Sequence, residues 1–137
     1  MKPKYVLDTN ICIYLMKQQP AEVAKRFARC LVGEVVISAI TLAELEYGVV
    51  CSGKNEQRNR AALDSLLQDI PAAPFDAEAA GAYGPIRRAA QDRRRDALDK
   101  LIAAHTLALG AALVTNSKAD FSGYPGLKVE NWVGTQG

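Results

Sequence analysis

The sequence predicts an α/β fold in which a central, mainly parallel sheet is covered by helices on both faces. Three observations carry this. Tyr5-Val6-Leu7, Val35-Val36-Ile37 and Ala111-Ala112-Leu113-Val114-Thr115 are apolar runs long enough for buried strands and too short for helices. Each is followed by polar or capping residues, and the stretches between the runs carry apolar residues at helical spacing. Strands apolar on both faces and alternating with helices belong to parallel sheets, where crossover helices cover each face.

Each element has its own signal. The first strand stops at Asp8, a charge that a strand interior does not tolerate without partners. Thr9 and Asn10 offer capping side chains for an apolar helix running from Ile11 to Met16. Pro20 suits the first turn of a second helix over 21–31, with Val23, Phe27, Cys30 and Leu31 as its stripe. Gly33 breaks that helix ahead of the second strand. Thr41-Leu42-Ala43-Glu44 then matches a capping box opening a helix through Leu45, Tyr47, Val49 and Val50.

Ser52-Gly53-Lys54-Asn55 reads as a loop, and residues 56–69 as a helix with Ala62, Leu63, Leu66 and Leu67 at helical spacing. Pro71 and Pro74 bracket a short extended piece, and Asp76 caps a helix reaching about residue 93, with Pro85 inside it. From Ala97 a clean stripe of Leu98, Leu101, Ile102, His105 and Leu109 ends at Gly110. Residues 119–121 suggest a helical turn, residues 127–130 a last edge strand, and Trp132 packs near the end.

At 137 residues, 49% apolar and 23% charged, the chain reads as one globular domain over 1–137. A net charge of +2 hides five arginines between Arg87 and Arg95, the others being Arg88, Arg93 and Arg94. Such a cluster suits a polyanion, and equally a solvated helix face with Asp92 and Asp96 in it. Cys12, Cys30 and Cys51 lack zinc-site spacing and read as reduced core residues of a cytoplasmic protein. No run approaches the roughly 18 apolar residues of a membrane helix, and none resembles a signal peptide.

Four carboxylates hold comparable places: Asp8 at a strand end, Glu44 and Asp99 in first turns of helices, and Asp120 after the strand ending at Thr115. In a parallel sheet, strand C-termini and the following helix N-termini share one edge, where ligands bind. Like charges about 4 Å apart repel by roughly 4 kcal/mol at a surface-like dielectric, and a hard divalent cation offsets that. Mg²⁺ or Mn²⁺ held so would support phosphodiester hydrolysis. Each acid also has a plainer reading: Asp8 and Glu44 as caps, Asp99 complementing the helix dipole, Asp120 as a solvated loop residue. His105, on the apolar stripe, reads as a packed core histidine, and the absence of a second histidine leaves a catalytic triad without support.

Val6-Leu7-Asp8-Thr9-Asn10, Thr41-Leu42-Ala43-Glu44-Leu45-Glu46-Tyr47-Gly48, Asp99-Lys100-Leu101-Ile102-Ala103-Ala104-His105 and Leu113-Val114-Thr115-Asn116 together resemble PIN-domain ribonucleases, in particular the VapC-type toxins of toxin–antitoxin pairs. The resemblance spans nearly the whole chain in order. It implies a PIN-like three-layer α/β/α domain and an Mg²⁺-dependent endoribonuclease, with Mn²⁺ as a substitute, acting on structured RNA of the tRNA or rRNA class. It implies a homodimer neutralised by a cognate antitoxin. Asp8, Glu44 and Asp99 then become the metal ligands and catalytic acids, Asp120 an outer catalytic acid, and Asn10, Thr115 and Asn116 the substrate-binding residues. An antitoxin Arg would face Asp8 and Asp99, with apolar anchors across the helices carrying Ile13 and Leu45. Two departures stand out: Arg94-Arg95-Asp96 replaces the usual Pro-Ile-Gly run, and Ser117 stands where many PIN domains carry Asn or Asp. Asp96 is the expected N-cap of the helix that carries Asp99.

Competing readings are weaker on the residues. A haloacid-dehalogenase-type phosphatase wants a second Asp where Asn10 stands, and a receiver module wants an Asp where the second strand ends at Ser38. A catalytically silent PIN scaffold binding RNA or protein is the alternative of a different class, and the presence of Asp8, Glu44 and Asp99 argues against it.

Overall fold

Val6 and Leu7 are neighbours in sequence and lie in two different cores. So do Val36 and Ile37, and Leu113 and Val114, because successive strand residues point to opposite faces. The sheet is therefore buried on both sides, as the continuous apolar runs require. The computed structural model describes residues 2–90 and 97–134. The Arg93–Arg95 cluster and Asp96, for which a capping role is expected, lie outside the described residues.

The chain runs β1 (Tyr5–Leu7), α1 (Thr9–Lys17), α2 (Ala21–Ala28), β2 (Val35–Ser38), α3 (Ala39–Val50), α4 (Glu56–Asp69), β3 (Ala72–Ala73), α5 (Ala77–Ala89), α6 (Ala97–Leu109), β4 (Ala112–Val114), α7 (Lys118–Phe121) and β5 (Lys128–Glu130). A 3₁₀ turn over Gly53–Asn55 occupies the expected loop before α4. The strands order as β3-β2-β1-β4-β5, and every pairing is parallel. In register, Val6 lies opposite Val36 on one side and Leu113 on the other. From β1 the chain builds first toward β2 and β3, then crosses to β4, so the crevice between the C-terminal ends of β1 and β4 is the topological switch point.

One core joins Leu7, Ile37 and Val114 to Ile11, Cys12, Leu45, Val49, Leu63, Leu66 and Trp132. The other joins Val6, Val36 and Leu113 to Ile86, Ile102, Ala103, Ala104 and Phe121. Small residues on α6 let that helix lie close to the sheet and to α5, its principal helical neighbour. The result is the expected α/β/α arrangement of three layers. No helix among the described residues is long and apolar enough to cross a membrane.

Several local expectations are corrected. Ser38, not Thr41, caps α3: its Oγ accepts the Ile40 N–H at 3.1 Å. The chain passes from β2 directly into helix, so Glu44 lies in the second turn and Thr41 is fully buried. Asp8 itself caps α1, in place of Thr9 or Asn10. The helix expected over 21–31 ends at Ala28, leaving Leu31 65% exposed. Leu98 is also exposed, because the buried side of α6 is centred on Ile102, Ala103 and Thr106. Cys51 is exposed where α3 ends beyond the core, Cys30 is half-buried, and Cys12 is the one cysteine fully buried.

A candidate acidic active site

The C-terminal ends of β1 and β4 open into a cleft of about 190 Å³ lined by Asp8, Thr9, Asn10, Glu44, Asp99, Ser117 and Asp120, with Ile102 and Phe121 at its base. The four carboxylates come from four elements: the end of β1, the second turn of α3, the first turn of α6 and the short α7. Parallel topology gathers Asp8, Glu44 and Asp120, which follow the C-terminal ends of β1, β2 and β4 at one sheet edge. Asp99 joins them from the start of α6, the helix that leads into β4.

Asp8 is the most constrained of the four, at 7% exposure. Its Oδ1 accepts the Ile11 N–H at 2.9 Å, capping α1, and the Thr115 hydroxyl also bonds its carboxylate. Burial pushes the Asp8 carboxyl above the ordinary aspartate range, and the charge of Glu44 pushes the same way. The bonds from Thr115, Ile11 and Asn10 oppose the rise without cancelling it. Glu44 is fixed separately: its Oε1 accepts the Thr9 hydroxyl at 2.7 Å. Asp99 is half-buried and Asp120 exposed at the rim.

The expected substrate-binding residues divide. Asn10 is exposed on the cleft. Thr115 is fully buried, which corrects its assignment: its Oγ1 accepts the Ser117 N–H at 3.0 Å while bonding Asp8, so it orients the acid and offers no surface to a ligand. Asn116 lies outside the cleft lining and donates to the Tyr14 hydroxyl at 2.8 Å, tying the β4 end to α1. Sequence reasoning missed the roles of Thr9, Thr115 and Ser38, because each acts on a partner remote in sequence. His105 is a buried core residue, as its place in the stripe suggests, with burial pushing its pKa down.

No Lys or Arg side chain lines this cleft among the described residues, and neither does any Cys or His. Also among the described residues, no group of three or more His, Cys, Asp or Glu side chains stands close enough together to hold a metal ion unaided. With no His or Cys in its lining among the described residues, the cleft lacks the nitrogen and sulfur ligands on which zinc sites are mainly built. It fits a hard cation such as Mg²⁺, which retains several waters and takes only one or two carboxylates directly.

Beside the acids, a groove of about 260 Å³ runs between α1, α3 and α4. Ile13, Met16, Leu45 and Val49 line it, and Thr9 and Glu44 border both groove and cleft. An extended ligand seated in the groove thus reaches the acids directly.

The chain is similar to known proteins over most of its length. Residues 5–126 match the PIN domain family. A tRNA(fMet)-specific endonuclease VapC from Shigella flexneri is 40% identical over 131 residues, covering 94% of this chain and 98% of its own. Ribonuclease VapC2 from Rickettsia felis is 37% identical, covering 93% and 97%. Among solved structures, VapBC2 from Rickettsia felis bound to a promoter DNA fragment superposes with a TM-score of 0.81 at 35% identity, over 93% of this chain and 98% of that one. DNA-bound VapBC from Salmonella typhimurium gives 0.83 at 34% identity, over 95% and 98%.

Proposed function

The chain belongs to the PIN-domain family, among its VapC-type ribonucleases, and from that premise we propose an Mg²⁺-dependent endonuclease that cuts structured RNA of the tRNA or rRNA class. It is the toxin half of a toxin–antitoxin pair, held inactive by a cognate antitoxin. The observation that supports the chemistry is the cleft itself: four carboxylates from four elements and, among the described residues, no basic side chain in its lining.

Asp8, Glu44 and Asp99 are the residues from which the cation would take one or two direct ligands, the remainder acting through its waters, with Asp120 at the rim. When bound, the cation supplies Lewis acidity for activating water and neutralises charge developing on the phosphate. The protein supplies position. Thr115 and the first amide groups of α1 fix the Asp8 carboxylate, and Thr9 fixes Glu44. Ionising Asp8 against its burial is favoured once positive charge enters the cleft, so cation binding and proton release from Asp8 are linked. On this reading Asn10, exposed beside the acids, would donate to an RNA oxygen, and Asp120, at the rim, would orient the attacking water.

A homodimer in the cytoplasm completes this reading, and the free thiols of Cys12, Cys30 and Cys51 suit a reducing compartment. The deciding experiment is metal depletion of the purified chain. Excess EDTA should abolish cleavage of tRNA, and Mg²⁺ or Mn²⁺ should restore it. Undiminished cleavage by nuclease-free preparations in EDTA would overturn the mechanism. Metal-restored cleavage of unstructured RNA alone would overturn the substrate class.

A further inference from the structure

We propose that His105 is a positioning residue for the nuclease site, acting through Ser38 to set the spacing of the two helices that carry Glu44 and Asp99. The inference rests on the reading of the acidic cleft as a cation site. His105 Nδ1 lies 2.7 Å from Ser38 Oγ, and both residues are shut off from solvent. The same Ser38 oxygen accepts the Ile40 N–H and caps α3. One hydroxyl therefore ends β2, starts α3 and grips α6, which packs against α3.

The hydrogen-bond inventory gives these contacts a consistent direction. The ring also bonds the backbone of Pro74, and a proline has only its carbonyl to offer, so the imidazole donates there. Assigning the proton to Nε2 leaves Nδ1 to accept the Ser38 O–H while Ser38 accepts from Ile40. Burial pushes the ring's pKa down, against the opposing pulls of Asp76 and the Pro74 carbonyl, and Phe75 meets it edge-on at 5.3 Å between ring centres. His105 is thus held from β2, from the segment after β3 and from α6 at once.

Its distance from the chemistry is short and symmetrical. Asp99 precedes His105 by six residues on α6, and Glu44 follows Ser38 by six on α3, which is about 9 Å of helix in each case. Loss of the Ser38–His105 bond would let α6 slide or rotate on α3 behind the cleft. Spacing between a half-buried Asp99 and a Thr9-bonded Glu44 would then no longer be fixed.

The test compares His105→Leu, His105→Asn, Ser38→Ala and the Ser38→Ala/His105→Leu double variant, all below their melting temperatures. Two quantities are read: Mn²⁺ affinity of the RNA-free chain by calorimetry, and the Mg²⁺ concentration giving half-maximal cleavage. Both should worsen by about tenfold in His105→Leu, the lower end of what loss of an outer orienting partner costs a metal site. His105→Asn, whose amide oxygen can still accept from Ser38, should recover most of that. The double variant should be no worse than His105→Leu alone, because both changes remove one bond. A lower melting temperature with unchanged metal affinity in His105→Leu and in Ser38→Ala would overturn the inference and leave His105 as packing only. If His105→Leu does not fold, Ser38→Ala and His105→Asn still decide. Failure of the wild-type chain to bind Mn²⁺ would instead refute the reading of the cleft, and this inference with it.

Discussion

Thr9 Oγ1 donates to Glu44 Oε1 at 2.7 Å, joining the first turn of α1 to the second turn of α3 across 35 positions of sequence. Thr9 follows Asp8 directly, and Asp8 is locked by its cap and by Thr115. The placement of Glu44 is therefore referenced to Asp8 through a single peptide unit and one hydroxyl. This matters because a glutamate has three side-chain torsions to fix, and ordering them costs entropy that a bond must offset.

Thr9→Val keeps the shape and deletes that bond. Glu44 is half-buried and can turn to water, so the stability loss should be only about 1 kcal/mol. Cleavage should fall more, by roughly tenfold, since an unanchored acid binds a cation less well. Thr9→Ser should restore both. Melting curves and initial cleavage rates on the two variants provide the comparison. Equal rates for all three proteins would show that Glu44 needs no anchor.

The buried Asp8 makes a pH prediction whose sign is fixed. Its folded pKa is raised by burial, while in the unfolded chain it titrates near the ordinary value, about 4. Between those two values the folded state holds more protons, so stability falls as pH rises through the window. Above the folded pKa the penalty is complete and constant. Asp8→Asn removes it, and Asn still accepts the Ile11 N–H as a cap. In EDTA at pH 7 the variant should melt at or above the wild type, and the gap should close as pH drops toward 4. Cleavage should be lost at every pH. A variant less stable than wild type at pH 7 would mean that the carboxylate is worth more to the fold than its burial costs.

On the other edge of the molecule, Arg26 is a stability element that the nuclease site does not use. Its guanidinium lies over the rings of Tyr5 and Trp132, 5.2 and 5.0 Å from their centres, and donates to the Tyr5 hydroxyl at 2.9 Å. Tyr5 begins β1, so this stack sits at the sheet edge opposite the cleft. Arg26→Ala should lower stability by roughly 1–2 kcal/mol through lost cation–π contact and packing. Arg26→Lys should recover only part, because an ammonium cannot stack as a planar group. Rates measured well below the melting point should be unchanged. A large fall in rate for Arg26→Ala would show that the two edges are coupled.

The residues that made the fold legible are those whose signal is local. The bounds of α4, residues 56–69, follow from spacing between a loop and a proline. The stop of α6 is legible because Gly110 supplies φ of +68° just past its last turn. Local signals also mislead where two compete. Thr41-x-x-Glu44 is a good capping box, yet Ser38 stands at the point where β2 turns into α3 and takes the cap first. Leu98 fits the α6 stripe by spacing, but the sheet meets the helix on the face of Ile102 and Thr106. In the site, topology makes the convergence of Asp8, Glu44 and Asp120 foreseeable, since each follows the end of a strand, whereas Asp99 comes from the start of α6, after α5 and not after a strand. What holds them is not foreseeable: Thr9 to Glu44, Thr115 to Asp8 and Ser38 to His105 are contacts between residues 35, 107 and 67 positions apart.

Gly48 gives the sharpest separation of free toxin from neutralised toxin. It lies on α3 in the groove shared with Ile13, Met16, Leu45 and Val49, and a Cβ built there meets nothing within 4 Å. A glycine inside a helix costs about 1 kcal/mol relative to a good helix former, so Gly48→Leu should stabilise the isolated chain by up to that amount. Position 48 lies one turn past Glu44 on the same face of α3, so cleavage is measured beside affinity and a loss of antitoxin binding is read where cleavage is retained. An antitoxin segment laying apolar anchors between α1 and α3 would, in contrast, meet a filled groove. Its affinity should fall at least tenfold, which is about 1.4 kcal/mol. Growth arrest should then return despite co-expression of the antitoxin. Gly48→Ala, which adds one methyl group, should gain the same stability and lose little binding. Calorimetric titration of both variants with purified antitoxin, beside their melting curves, gives the answer. Unchanged affinity for Gly48→Leu would place the antitoxin on another face, and with it any inhibitory Arg expected against Asp8 and Asp99.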